Sequence, residues 1–123
     1  MKTFIPFLLL LLFINNGTAQ NFTIEKDTVT FTGLATQFEI NGRIHLYNNT
    51  SSTLQMRCIR TIESLEQGWS TSFCNSTYCF PDVVDSADFT IKANNSNYLL
   101  VHYYLNNTAG NAVTKLRVYE AIE

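Results

Sequence analysis

Little in this chain is suited to polar chemistry. Its 123 residues include two histidines, three cysteines, two prolines and one tryptophan, and only 15% are charged. The formal net charge is −2 and no stretch is rich in Lys or Arg, so the electrostatic footprint of a nucleic-acid binder is missing. A weakly acidic surface favours solubility and names no partner. The nucleophile-elbow GxSxG, the zinc-protease HExxH and the phosphate-cradling glycine loop are all absent. No apolar run reaches the roughly 20 residues that a bilayer span requires. Runs of Ala, Leu and Lys are scarce, which argues against long helices. Internal repeats, linkers and blocks of like charge are lacking too, so a single domain is expected.

What is present begins at the N-terminus, MKTFIPFLLLLLFINNGTAQ. Lys2 supplies a positive start, residues 4–14 are apolar apart from Pro6, and Gly17-Thr18-Ala19 places small residues where signal peptidase cuts. Residues 1–19 are therefore expected to be a cleaved signal peptide, with an uncleaved anchor or a buried N-terminal strand as alternatives. No cysteine lies near the cut, so a lipoprotein acyl chain has no attachment point. Residues 20–123 are long enough to bury one core. Export to the periplasm or the cell exterior is the expected fate, with no membrane span after cleavage. That compartment lets disulfides persist.

The remainder reads as short strands separated by Asn, Thr, Ser and Gly. Residues 36–48 alternate longest, with Phe38, Ile40, Gly42, Ile44 and Leu46 on one face and Gln37, Glu39, Asn41, Arg43, His45 and Tyr47 on the other. Such a period of two marks a half-buried antiparallel strand. Further strands are expected over residues 28–32 (Val29 and Phe31 inward), 54–62 (Leu54, Met56 and Cys58 inward), 88–92 (Phe89 and Ile91 inward), 98–105 and 112–119. The segment 98–105 is apolar on both faces and should be central. The loop 106–111 offers Gly110 for a positive φ. About seven strands, with turn signals every 8 to 12 residues or so, predict an all-β, Ig-like antiparallel β-sandwich. A small barrel and a jelly roll are the alternatives.

The stretch GWSTSFCNSTYCFPD, residues 68–82, carries two of the cysteines. Four residues separate Cys74 from Cys79, and no helix signal starts at the first, so a thioredoxin-type redox pair is not expected. A zinc site would need Cys58, Cys74 and Cys79 with His45 or His102. Export and spacing favour a Cys74–Cys79 disulfide, with no metal and no cofactor. So short a loop removes little chain entropy, about 2 kcal/mol, but would pin an irregular connection. The leftover Cys58 is either a buried thiol or an intermolecular bridge. Trp69 reads as a lid on the core edge or as an exposed aromatic contact.

The order of these pieces resembles secreted Ig-like modules of Bacteroidota bacteria. The most specific portion is Gly68-Trp69 followed by Cys74, Cys79 and Pro81. In those modules the preceding strand often carries a Trp where this chain has Cys58. Many also bear a C-terminal sorting domain for type IX secretion, which is not expected here. The resemblance implies a fold and a compartment and transfers no catalytic residue.

Other chemistry is thin. His45 and His102 both fall mid-strand, away from the loops where sites collect. Asp82, Asp85 and Asp88 recur at three-residue spacing, but without the rest of a calcium loop. Within residues 20–123 six Asn-x-Ser/Thr triplets begin at Asn21, Asn48, Asn49, Asn75, Asn94 and Asn106 and read as turn chemistry or glycan acceptors. Tyr98, His102 and Tyr104 share a face and, with Trp69, form the expected binding surface. The expected function is a non-catalytic exported interaction or structural module for a protein or cell-surface glycan. The alternatives are a subunit that self-associates through an edge strand or Cys58, and a small secreted hydrolase.

Overall fold

The computed structural model describes residues 20–122. The expected signal peptide lies outside these residues. Among the described residues the secondary structure is entirely strand: β1 (Phe22–Ile24), β2 (Glu39–Asn48), β3 (Leu54–Leu65), β4 (Ser70–Cys74), β5 (Cys79–Phe80), β6 (Ser86–Ile91), β7 (Ser96–Tyr104) and β8 (Ala112–Glu120). No helix among them is long and apolar enough to cross a membrane. Two antiparallel sheets form a β-sandwich, one ordered β1-β2-β7-β4-β5 and the other β6-β3-β8.

The alternating residues meet between the sheets. Leu46, Leu99 and Phe73 from the larger sheet pack with Leu54, Met56, Cys58, Phe89 and Ile91 from the smaller one. Every one of these is at least nine-tenths buried, and at roughly 1.5–3 kcal/mol per buried large side chain they are the main favourable term of the fold. Tyr103 also crosses the gap, with its hydroxyl 2.6 Å from Thr114 Oγ1.

Four expectations need correction. Residues 28–32 form no ladder, and the N-terminal strand is β1 instead. Val29 and Phe31 are still half-buried, and the Phe31 ring stacks 5.6 Å from Tyr103. It sits over Gly42, where any Cβ would overlap the ring; this explains a glycine inside a long strand. Phe38 precedes β2 and is 81% exposed rather than inward. Residues 68–82 are not an irregular connection. They form the β4–β5 hairpin at the edge of the larger sheet, with Phe73 opposite Phe80 and Cys74 opposite Cys79. Pro81 follows directly, where it costs no ladder bond. Finally, the left-handed residues of loop 106–111 are Asn106 and Asn107, with φ of 49° and 54°, not Gly110.

The asparagines close turns. Asn48 is buried and donates from Nδ2 to the carbonyls of Ser52, Ile91 and Lys92. Asn75 is buried too, and its Oδ1 accepts from the amides of Thr77 and Tyr78 at the hairpin tip. Those two amide groups are committed to the fold.

Candidate functional site

The outward face of the larger sheet collects most of the residues singled out above. The β2–β7 register sets Glu39 beside Tyr104, Asn41 beside His102 and Arg43 beside Leu100. On the other side of β7, the β4 register sets Ser70 beside Tyr104, Ser72 beside His102 and Cys74 beside Leu100. Side chains of one face in a sheet interact both directly and diagonally. Cys74 and His102 are therefore diagonal neighbours, and so are Glu39 and His102.

Cys74 and Cys79 are bonded, S–S 2.06 Å, across a directly opposed pair. The two ends differ in access: Cys74 is 2% exposed, whereas Cys79 is open to solvent. His102 Nε2 lies 3.2 Å from Cys74 Sγ, and Nδ1 of the same ring lies 2.5 Å from Glu39 Oε2. A carboxylate only accepts, so Nδ1 carries the hydrogen and Nε2 faces the sulfur. The ring stacks on Tyr104 at 6.0 Å with 6° between planes, and the Tyr104 hydroxyl is 3.2 Å from Ser72 Oγ. The two sulfurs and the His102 ring lie within 4.8 Å of one another, but both sulfurs are consumed by their mutual bond.

Beyond this row the face continues with Arg43 over the Tyr98 ring at 4.0 Å and His45 edge-on to Tyr98 at 6.1 Å. Glu25 takes a hydrogen bond from the His45 backbone amide and lies 3.1 Å from His45 Nδ1. The backbone bond first, then the ring, holds the Glu25 carboxyl below its usual range. At the opposite end Phe38 stands edge-on to Tyr104 at 5.6 Å. These two rings, with Gln37, Ser70, Asn106 and Asn107, border an open cleft of about 580 Å³ with no charged residue in its lining.

Trp69 does not join this face. Its indole N–H donates to the Thr108 carbonyl at 2.8 Å and its ring lies 5.9 Å from Tyr103, which makes it a lid over one end of the core. Cys58 is 0% exposed, and burial pushes its thiol up to about 12. In the folded chain it lies inside the core, out of reach of a partner thiol. The acidic triplet is also dispersed: Asp88 forms a two-point pair with Arg57 at 2.6 and 3.0 Å, and Asp85 binds Arg60. The Arg57 pair holds the Asp88 carboxyl below its usual range.

Two participants went unrecognised in the sequence. Alternation puts Glu39 on the outer face of its strand and groups His102 with Tyr98 and Tyr104, but no alternating pattern spans Cys74, so the sequence does not show which face it takes. Arg60 continues the inward series Leu54, Met56 and Cys58; its inward position was legible, but its partners were not. No family model matches the chain, and no curated protein or solved structure is significantly similar to it.

Proposed function

We propose that this chain is an exported, non-catalytic binding module of the Ig-like kind its Gly68–Pro81 segment resembles, and that it recognises a neutral glycan on the outward face of the larger sheet. The observation that carries this reading is Phe38. A large apolar side chain 81% exposed, edge-on to Tyr104 at the mouth of an uncharged cleft, contributes nothing to the core. Rings present flat apolar faces to the C–H groups of a sugar, while Gln37, Asn106 and Asn107 supply both donors and acceptors for its hydroxyls. A lining without charge suits a neutral sugar better than a charged peptide. Export rests on the leader-like first 19 residues and agrees with a disulfide.

Affinity electrophoresis against immobilised neutral polysaccharides (mannan, xylan and β-glucan) tests it. Retardation of the wild-type chain should weaken about tenfold in Phe38→Ala, the loss of roughly 1.4 kcal/mol of contact. No retardation in any of the three gels, or equal retardation of the variant, refutes the reading.

Self-association along a sheet edge is the weaker alternative. The nine-residue β8 is an open edge, but it carries Lys115 and Arg117 on its outward side. Two antiparallel copies would bring these like charges together, a common guard against edge pairing.

A further inference from the structure

The Cys74–Cys79 bridge does little that the hairpin does not already do. Asn75 caps the tip through two backbone amides, and its own amide donates to the Tyr78 carbonyl. Phe73 and Phe80 pack 5.0 Å apart, and Arg60 holds the carbonyl of Asp82 just beyond. The hairpin thus has the means to persist without the S–S bond. What the bridge does have is asymmetry. Cys79 is an exposed residue, whereas Cys74 is buried and its sulfur faces an imidazole that is oriented by a carboxylate.

We propose that this bridge is a thiol–disulfide exchange site for small monothiols, with Cys79 as the attacked sulfur and Cys74 as the leaving group. The attacking thiolate bonds to Cys79 Sγ, the Cys74–Cys79 bond breaks, and its electron pair goes to Cys74 Sγ. The proton released by the incoming thiol ends on His102, whose Nε2–H then donates to the Cys74 thiolate 3.2 Å away. One disulfide is exchanged for another, a mixed disulfide on Cys79, so no external oxidant is needed. Cys74 attacking the mixed disulfide reverses the step and expels the small thiol. Exchange is faster when the leaving thiolate is stabilised. A charge-assisted hydrogen bond from an imidazolium is a strong form of that stabilisation. Here histidine takes the part that a helix N-terminus plays in thioredoxin-like motifs, which is why cysteine spacing did not reveal it. Glu39 is a positioning residue that fixes the ring. The other groups around it are Ser72 and Cys74 of β4, Asn41 of β2 and Tyr104 of its own strand; Arg43 lies over Tyr98 instead.

The test uses oxidised protein and glutathione, quenched with N-ethylmaleimide and mapped by peptide mass. In the wild type, glutathione should sit on Cys79 and maleimide on Cys74. His102→Asn should slow adduct formation about tenfold or more, the scale of one lost hydrogen bond to a charged group. For Glu39→Gln the readout is spectroscopic. The reduced wild type should show a thiolate absorbance near 240 nm at neutral pH, and that absorbance should fall in both variants. Glutathione on Cys74, a bridge that resists glutathione while the protein stays folded, or no thiolate band in the reduced wild type overturns the proposal without any variant. Rates within twofold of wild type in a folded His102→Asn protein overturn it as well.

Discussion

Removing the Asp85 carboxylate should destabilise this protein because it strands a buried cation. The Arg60 side chain is 0% exposed, enclosed between the sheets beneath the β5–β6 connection. Its Nε and Nη2 lie 3.1 and 3.0 Å from Asp85 Oδ1, Nη1 donates to the Thr71 carbonyl at 3.1 Å, and Nη2 donates to the Asp82 carbonyl at 2.6 Å. The guanidinium centre is 5.3 Å from the middle of the Phe73 ring. Breaking a buried ion pair by deleting one partner costs about 3–5 kcal/mol when both charges are enclosed. The Asp85 side chain is 65% exposed, so water already screens it and enters once it is gone. The two carbonyls also keep part of the guanidinium satisfied. Asp85→Ala should therefore cost about 2 kcal/mol, which for a domain near 100 residues lowers Tm by roughly 8–16 °C. The backbone bond from the Arg60 amide to the Asp85 carbonyl, 2.7 Å, survives the substitution. The decisive measurement is a double-mutant cycle by urea unfolding under non-reducing conditions. With Arg60→Met in the background no buried cation remains, and Asp85→Ala should then cost less than about 0.5 kcal/mol, a coupling of about 1.5 kcal/mol or more. If the two substitutions add, Asp85 does not compensate Arg60 and the electrostatic account is wrong.

Two further outcomes are expected. Cys58 should resist iodoacetamide in the folded state and take up one equivalent in denaturant; fast labelling of native protein would show that the core is open there. Its folded-state shift is upward, from 9.0 to about 12, so the contribution of the neutral buried thiol is complete below 9.0 and fades as pH rises towards 12. Asp88 and Glu25 shift the other way. Their contribution is present above the ordinary carboxylate range and is lost as pH falls through their lowered folded values. Asp88→Asn should accordingly flatten the acid side of a stability-against-pH curve measured by urea midpoints; an unchanged slope would mean that the Arg57 pair adds nothing.

Much of the sandwich was legible because side-chain alternation belongs to a single strand. The inward series Ile40, Ile44 and Leu46, then Leu54, Met56 and Cys58, then Phe89 and Ile91, needed only the period of two. The central position of β7 followed from apolar residues on both its faces. Residues 28–32 misled the same reasoning. Val29 and Phe31 do turn inward, but no neighbouring strand offers them a ladder, and apolar parity cannot distinguish packing from pairing. The hairpin β4–β5 was obscured by its Asn, Ser, Thr and Pro content, which signals turns whether or not two residues on either side happen to pair.

By itself the amino-acid order determined that the domain after residue 19 is built of strands, which faces carry most of the core, and which two cysteines stand close enough to bond. Tertiary structure alone decided that Glu39, His102 and Cys74 form a row, and that Arg60 finds Asp85. The reason is distance along the chain. Glu39 and His102 are 63 residues apart and His102 and Cys74 are 28 apart. Their meeting depends on the register of β7 against both β2 and β4. A slip of one residue in either ladder would send the partner to the opposite face, and that register is set by the core beneath, where Leu46, Leu99 and Phe73 lock against the other sheet.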